Sequence, residues 1–161
     1  MFNITRNILI FLTIVFLSQL AYFYPQLPEQ VASHFNFWGE PDGWMSKSSF
    51  LVFQVILLVF ILGMSSLTPF LFNNLPDAFI NIPNKNYWLA PERREEAMRK
   101  FAETNDNLRV ALLLLFIGIN HFAFQANIYG DKLSDGVWLI LCVFLLYMIY
   151  WVFQLRKTFK I

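Results

Sequence analysis

Four long stretches of this chain are apolar and contain no Asp, Glu, Lys or Arg. They are residues 8–24, 50–72, 110–128 and 137–154. A helix needs about 20 residues, with a range near 17–25, to cross a hydrocarbon core of roughly 30 Å. Because a charge at the bilayer centre costs at least about 2.5–3.5 kcal/mol, four such stretches separated by charged loops predict four transmembrane helices. We expect residues 1–161 to form a single all-α membrane domain.

The composition supports the same class of protein. Hydrophobic residues make up 57% of the chain and charged residues only 14%, against roughly 25% charged residues in soluble domains. An ordinary soluble globule and a disordered chain are therefore excluded. The net charge of +1 excludes a generally basic nucleic-acid binder. Cys142 is the single cysteine, so neither an intrachain disulfide nor a cysteine metal cluster can form.

The first apolar stretch could be a cleaved signal peptide, because Arg6 precedes it. Cleavage prefers small residues at positions −3 and −1. A cut after Ala21 would place Gln19 at −3, and a cut after Ser18 would place Phe16 there. We therefore interpret this stretch as an uncleaved first span.

The basic residues predict the orientation. With the N-terminus inside, ten of the twelve Lys and Arg lie on the cytoplasmic side, and only Lys47 and Lys132 lie outside. Cytoplasmic loops are enriched in Lys and Arg. The sequence thus predicts an N-in, C-in multi-pass protein of the bacterial cytoplasmic membrane.

The larger inner connection, residues 73–109, predicts an amphipathic cytoplasmic helix that runs into the third span. Pro91 suits the first turn of that helix, and Glu92 follows where acidic residues are favoured. Two ion pairs at i,i+4 spacing are expected within it, Glu95–Arg99 and Glu96–Lys100. Two interpretations stay open: a helix at the inner membrane surface, or a docking face for a cytoplasmic partner.

The outer loop, residues 25–49, predicts a defined shape. Residues 31–37 could be extended, and residues 39–43 (Gly-Glu-Pro-Asp-Gly) are rich in turn formers. Its aromatic side chains are typical of a membrane interface. The loop is either a structural cap over the helices or a surface that faces a ligand or partner.

The outer loop also carries a motif, which consists of His34, Asn36, Trp38, Gly39, Pro41, Asp42, Gly43, Trp44 and Lys47. This motif resembles the bacterial and archaeal membrane family called domain of unknown function 1648, often found at the N-terminus of SdpI-type integral membrane proteins. The type member of the SdpI group is an immunity and signalling protein against a secreted peptide toxin. A cytoplasmic motif that recurs in these proteins is similar to a second set of residues, Trp88, Pro91, Glu92, Arg93 and Arg94. The resemblance implies a partner- or ligand-binding outer loop.

The third span contains unusually many polar side chains, Asn120, His121, Gln125 and Asn127. Such groups commonly hydrogen-bond across helices. Alternatively, His121 lines a cavity beneath the outer loop and meets His34 or Asp42, since intramembrane ionisable residues are functional candidates. Two histidines 87 residues apart have no diagnostic metal-ligand spacing, so we predict no metal site.

No catalytic motif or cofactor fingerprint is recognisable in the sequence. We predict a non-enzymatic binding, sensing or immunity-type module that uses its outer loop and needs no cofactor. The alternative is a structural or accessory subunit of a larger transport or secretion complex. The expected partners are the lipid bilayer and a peptide or membrane protein at the outer loop, but not nucleic acid. Homo-oligomerisation stays open.

Overall fold

The computed structural model describes residues 2–130 and 132–161, apart from the side chains of residues 2, 3 and 65. The chain is mostly helical, with one two-stranded hairpin. Its elements in order are helix α1 (Phe2–Phe23), strands β1 (Gln30–Phe35) and β2 (Pro41–Ser46), and helices α2 (Lys47–Asn74), α3 (Lys85–Trp88), α4 (Arg94–Tyr129) and α5 (Gly136–Thr158). Single turns of 3-10 helix follow α1 and α2, at Tyr24–Gln26 and Asp77–Phe79.

Four helices, α1, α2, α4 and α5, are long and apolar enough to cross a membrane. The structure confirms that the chain is mostly helical and that it has four helices long and apolar enough to be membrane spans. The N-in, C-in orientation stays a prediction.

Helix α4 joins the predicted amphipathic helix and the third span in one helix of 36 residues, about 54 Å long. It begins at Arg94, after a turn at residues 91–93, so the expected start at Pro91 is wrong. The expected Glu96–Lys100 pair is present, with Nζ and Oε1 3.0 Å apart. Arg99 pairs with Glu103 at 3.2 Å instead of with the expected Glu95, because the residue one turn further along offers an equally placed carboxylate.

Helix α4 lies at the centre of the bundle, and α1, α2 and α5 each pack against it. The main apolar core contains Leu9, Leu12, Phe16 and Leu20 of α1, Phe50, Leu58 and Ile61 of α2, and Leu113 and Phe124 of α4. Gly118 of α4 permits the approach of α5, since a Cβ there would lie 2.6 Å from Ile140 Cδ1. Gly63 faces open space, so it does not serve such an approach.

The bundle has two distinct ends. At the hairpin end, both strands contact α2 and β1 also contacts α4, while the hairpin turn contacts the connection between α4 and α5. The opposite end has its own apolar cluster, Phe72, Ile80, Ile82, Trp88, Leu89, Ala97 and Phe159. Each end of the bundle therefore has its own packed structure.

Candidate functional site

The predicted outer loop folds into an antiparallel hairpin. Gln30 pairs with Ser46, Val31 with Met45, and Ala32 with Trp44. The register slips between Ala32 and His34 and again before Phe35. The side chain of Val31 is completely buried in the main core, so the hairpin is an extension of the bundle and has a fixed position on it.

The turn of the hairpin lies at Asn36–Glu40, which is earlier than the sequence indicated. The side-chain oxygen of Asn36 accepts hydrogen bonds from the backbone N–H of Trp38 (2.8 Å) and Glu40 (3.0 Å). Gly39 has a φ of +75°, a left-handed conformation that glycine adopts without a steric cost. Asp42 and Gly43, which were expected in the turn, lie in β2 because Asn36 and Gly39 close the chain before them.

Two contacts hold this turn against the connection between α4 and α5. The backbone N–H of Leu133 donates to Gly39 O at 2.8 Å. Lys132 Nζ lies 2.6 Å from Glu40 Oε1. Hydrogen bonds from Lys132 and Asn36 to the carboxylate hold the pKa of Glu40 below its ordinary value of 4.5. The turn is thus fixed to the bundle by both its backbone and its charge.

Asn127 at the end of α4 holds the base of the hairpin. Its Oδ1 accepts the backbone N–H of Ala32 at 2.7 Å, and its Nδ2 donates to Ala32 O at 3.0 Å. The side-chain amide therefore replaces a neighbouring strand along the outer edge of β1.

Lys47 closes the loop on the other side. Its Nζ donates to Leu27 O at 2.8 Å and Pro25 O at 3.3 Å, and it lies 5.1 Å from the centre of the Tyr24 ring. Asn36, Gly39 and Lys47 of the motif thus hold the loop in shape.

Other motif residues form an exposed surface on the hairpin. His34 Nδ1 hydrogen-bonds Asp42 Oδ1, and their side chains are 72% and 44% exposed. Gly43 leaves room for this pair, since a Cβ there would lie 3.1 Å from His34 Cβ. Pro41 begins β2, where the missing N–H of proline is tolerated.

Two tryptophans extend that surface. Trp38 is 72% exposed and Trp44 58% exposed. Phe37, equally exposed, packs 5.2 Å from Trp138 at the start of α5. We call His34, Asp42, Trp38 and Trp44 the hairpin surface.

One edge of the hairpin offers backbone hydrogen bonds. Lys47 N donates to Glu29 O at 2.9 Å, so Glu29 and Lys47 form a hydrogen-bonded pair of the ladder. Hydrogen-bonded and non-hydrogen-bonded pairs alternate along antiparallel strands. Ala32 and Trp44, three pairs further along, are therefore a non-hydrogen-bonded pair. The backbone N–H and C=O groups of these two residues therefore point away from the partner strand. The groups of Ala32 bind Asn127, and the groups of Trp44 point to the outer edge of β2. We call this the β2 edge. The sequence does not reveal this edge, because strand register cannot be inferred from residue types in so short a loop.

The polar residues of the third span separate in the structure. Asn120 and Gln54 of α2 exchange two buried hydrogen bonds, each of 3.0 Å. Gln125 is half-buried, whereas His121 is exposed and packs edge-on against Phe23, with ring centres 6.0 Å apart.

The structure does not bring His121 to the hairpin surface, since His121 packs against Phe23 of α1 while His34 pairs with Asp42. Within residues 2–130 and 132–161, no group of three or more His, Cys, Asp or Glu could hold a metal ion.

The second motif, at the opposite end of the bundle, is structural in its contacts. Trp88 Nε1 donates to Phe159 O at 3.0 Å. Arg94 donates to Phe72 O through two nitrogens and pairs with Asp77 at 2.6 Å.

The other residues of this motif lie at the surface. The guanidinium of Arg93 lies 4.0 Å from the centre of the Tyr87 ring, and Pro91 and Glu92 are exposed.

Arg109 is a buried cation, whereas its position in the sequence predicted a place in a cytoplasmic loop. It is only 8% exposed. Its Nε donates to Ile61 O at 3.1 Å and its Nη2 to Leu62 O at 2.9 Å, both on α2, while Nη1 pairs with Asp106 at 2.7 Å. Asp106 lies three residues before Arg109 on the same helix, and this spacing in the sequence is a recognisable signal of an ion pair.

Comparisons with known proteins point to the same family as the motif of the hairpin. Residues 8–58 match the model of a family described as Domain of unknown function (DUF1648). That segment contains most of α1, the hairpin and the start of α2, but not the motif at the opposite end. The SdpI-type relationship stays a prediction.

A relative from Archaeoglobus fulgidus, described as an uncharacterized protein, is 31% identical over 114 residues. The alignment covers 67% of this chain and 62% of that protein, so the chain spans less than two thirds of the relative. No solved structure matches the chain at a significant level. The chain thus contains, in residues 8–58, a domain of the family described as Domain of unknown function (DUF1648).

Proposed function

We propose that this protein is a non-enzymatic membrane module that binds an extended peptide segment at the hairpin end. The observation that carries the proposal is the β2 edge, where the exposed Trp44 offers its backbone N–H and C=O. Extended peptides bind by adding a strand to such an edge, and pockets or aromatic side chains beside it supply specificity. Trp44 itself and the His34–Asp42 pair lie on the same hairpin.

The rigid support of the hairpin favours this function. An interface that is fixed before binding loses less entropy on association. Asn127, Lys47 and Leu133 hold the loop at three separate places, so β2 is already in the conformation that a strand partner needs. The charge bias of the loops predicts that this surface lies outside the cytoplasmic membrane, where it would meet a secreted or membrane-bound peptide.

A selection of random peptides tests the proposal. Peptides displayed on phage would be selected on the protein in lipid nanodiscs, after empty nanodiscs have removed lipid binders. Trp44→Pro removes the edge N–H without breaking a bond to β1, and Trp44→Ala is the control that keeps the N–H. We expect Trp44→Pro to weaken the selected peptides about tenfold more than Trp44→Ala, because an unmet hydrogen-bond partner costs about 1–3 kcal/mol.

Equal affinities of the two variants would contradict strand addition at this edge, provided that hydrogen exchange shows the ladder amides still protected in both. Failure to enrich any peptide over empty nanodiscs would contradict peptide binding altogether.

The accessory-subunit role is the second candidate, and α5 is the observation that favours it. Val137 is the one fully buried residue of α5, and the exposed side chains of Leu139, Leu146 and Phe153 leave a face of α5 free to contact lipid or another helix. Failed peptide selection, together with a stoichiometric polypeptide that co-purifies from native membranes in mild detergent, would favour this role.

A further inference from the structure

A groove of about 700 Å³ lies between α1 and α2, within the range of about 300–1,000 Å³ for sites that bind small molecules. Arg6 and Arg109 line it together with Asp106, and its apolar wall includes Ile10, Ile14 and Leu62. It therefore combines an apolar wall with two cations and one anion.

The cations lie at one end of the groove. Arg6 precedes the end of α1 at Phe23 by 17 residues, or about 26 Å, and Arg109 precedes the end of α4 at Tyr129 by 20 residues, or about 30 Å. These lengths approach the roughly 30 Å of a hydrocarbon core. Both arginines thus lie near the membrane interface opposite the hairpin.

The apolar wall reaches deeper into the bilayer. Ile14 lies nine residues before Phe23, only about 14 Å from the hairpin end of α1. From the arginines to Ile14, the groove changes from charged to apolar along the membrane normal. A molecule that fits it carries a negative charge at one end and a long apolar chain at the other.

The charge of the groove selects an anion. Asp106 neutralises Arg109, with which it forms a pair at 2.7 Å. Arg6 adds a second positive charge. Arg109 uses three of its five N–H groups on Ile61, Leu62 and Asp106, and two more are available in its fixed guanidinium.

We propose that this groove binds one anionic phospholipid, with its phosphate at Arg6 and Arg109 and an acyl chain along Ile10, Ile14 and Leu62. Basic pockets between transmembrane helices are typical sites for anionic lipid head groups.

Native mass spectrometry of the intact protein tests the head-group part of the proposal. The protein in detergent would be offered equal amounts of phosphatidylglycerol and phosphatidylcholine with the same acyl chains. We expect one bound lipid and about a fivefold preference for phosphatidylglycerol, the ratio expected for one basic side chain near an anionic group. Arg6→Gln should abolish this preference. Arg99→Gln is the control, since Arg99 is exposed on α4 and pairs with Glu103.

A second pair of variants tests the acyl-chain part without touching Arg109. Ile14→Trp fills the groove and should lower the bound fraction of both lipids. Leu17→Trp, at another exposed position of α1, should leave the bound fraction unchanged. Glycerol phosphate, which has the head-group charge without a chain, should not displace the lipid.

Four results would overturn the proposal. They are equal binding of the two lipids to the unmodified protein, the same loss in Arg99→Gln as in Arg6→Gln, the same loss in Leu17→Trp as in Ile14→Trp, and displacement of the lipid by glycerol phosphate.

Discussion

Replacing Gly39 with Ala should release the hairpin turn from the connection between α4 and α5. Gly39 has a φ of +75°, and a Cβ at this position would lie 2.8 Å from the backbone oxygen of Leu133. Gly130 is a matched control, because it has a φ of +69° and nothing within 4 Å of its Cβ position. Both substitutions strain the backbone, but only the one at Gly39 also produces a clash.

The geometry gives the size of the difference. A left-handed conformation costs a residue with a Cβ roughly 1–2 kcal/mol, and this cost is common to both variants. A backbone oxygen cannot rotate away from the new methyl group, so the loop around Leu133 must move. That movement breaks the 2.8 Å hydrogen bond from Leu133 N–H to Gly39 O, with a net cost of about 0.5–1.5 kcal/mol. Gly39→Ala should therefore lower the free energy of local opening by about 1 kcal/mol more than Gly130→Ala.

Amide hydrogen exchange in nanodiscs measures this opening directly, because the Leu133 N–H reports on the contact. A difference of about 1 kcal/mol corresponds to an additional loss of protection of about fivefold in Gly39→Ala. Amides in the middle of α4 should keep their protection in both variants. Equal loss at Leu133 in the two variants, or no loss in Gly39→Ala, would refute the inference that this close contact holds the turn.

Two further predictions concern polar contacts of the bundle and the turn. In a double-mutant cycle, Gln54→Leu and Asn120→Leu together should destabilise the protein by about 1 kcal/mol less than the sum of the two single changes. The reason is that each single change leaves a buried amide without its partner. Additive effects in a reversible detergent-unfolding assay would contradict this prediction. The lowered pKa of Glu40 means that its stabilising contribution is present above its ordinary value of 4.5 and is lost as the pH falls through the lowered pKa. Lys132→Ala should raise that pKa towards 4.5 in a carbon-13 NMR titration, and an unchanged pKa would show that Lys132 is not its main cause.

The helical part of the fold was predictable because its signal is local. A run of apolar residues without charge has only one low-energy conformation in a bilayer, a helix that satisfies its own backbone hydrogen bonds. The starts of the helices were less predictable. Pro91 and Glu92 have the residue types of a first helical turn, yet α4 begins at Arg94, since helix boundaries depend on contacts such as those of Arg94 with Phe72 and Asp77.

The sequence indicated which loop carries the motif, but not how the residues of the motif are arranged. The motif marked the loop, but Asp42 and Gly43 lie in a strand because Asn36 closes the turn first. His121 could have hydrogen-bonded across helices or lain beneath the loop, but it is exposed and packs against Phe23. The rotation of a helix about its axis is decided by packing against its neighbours, which a single span does not encode.

The sequence alone determined that this protein has four candidate membrane spans. The signal is local, since charge is costly in hydrocarbon and the four stretches without charge can be read directly from the sequence. The tertiary structure decided what each polar residue does. The side chain of Asn127 hydrogen-bonds the outer edge of β1, and the side chain of Lys47 binds backbone carbonyls of the loop. Arg109 lies inside the bundle. Each of these roles depends on groups distant in the chain, and only the folded structure brings such groups within hydrogen-bonding distance.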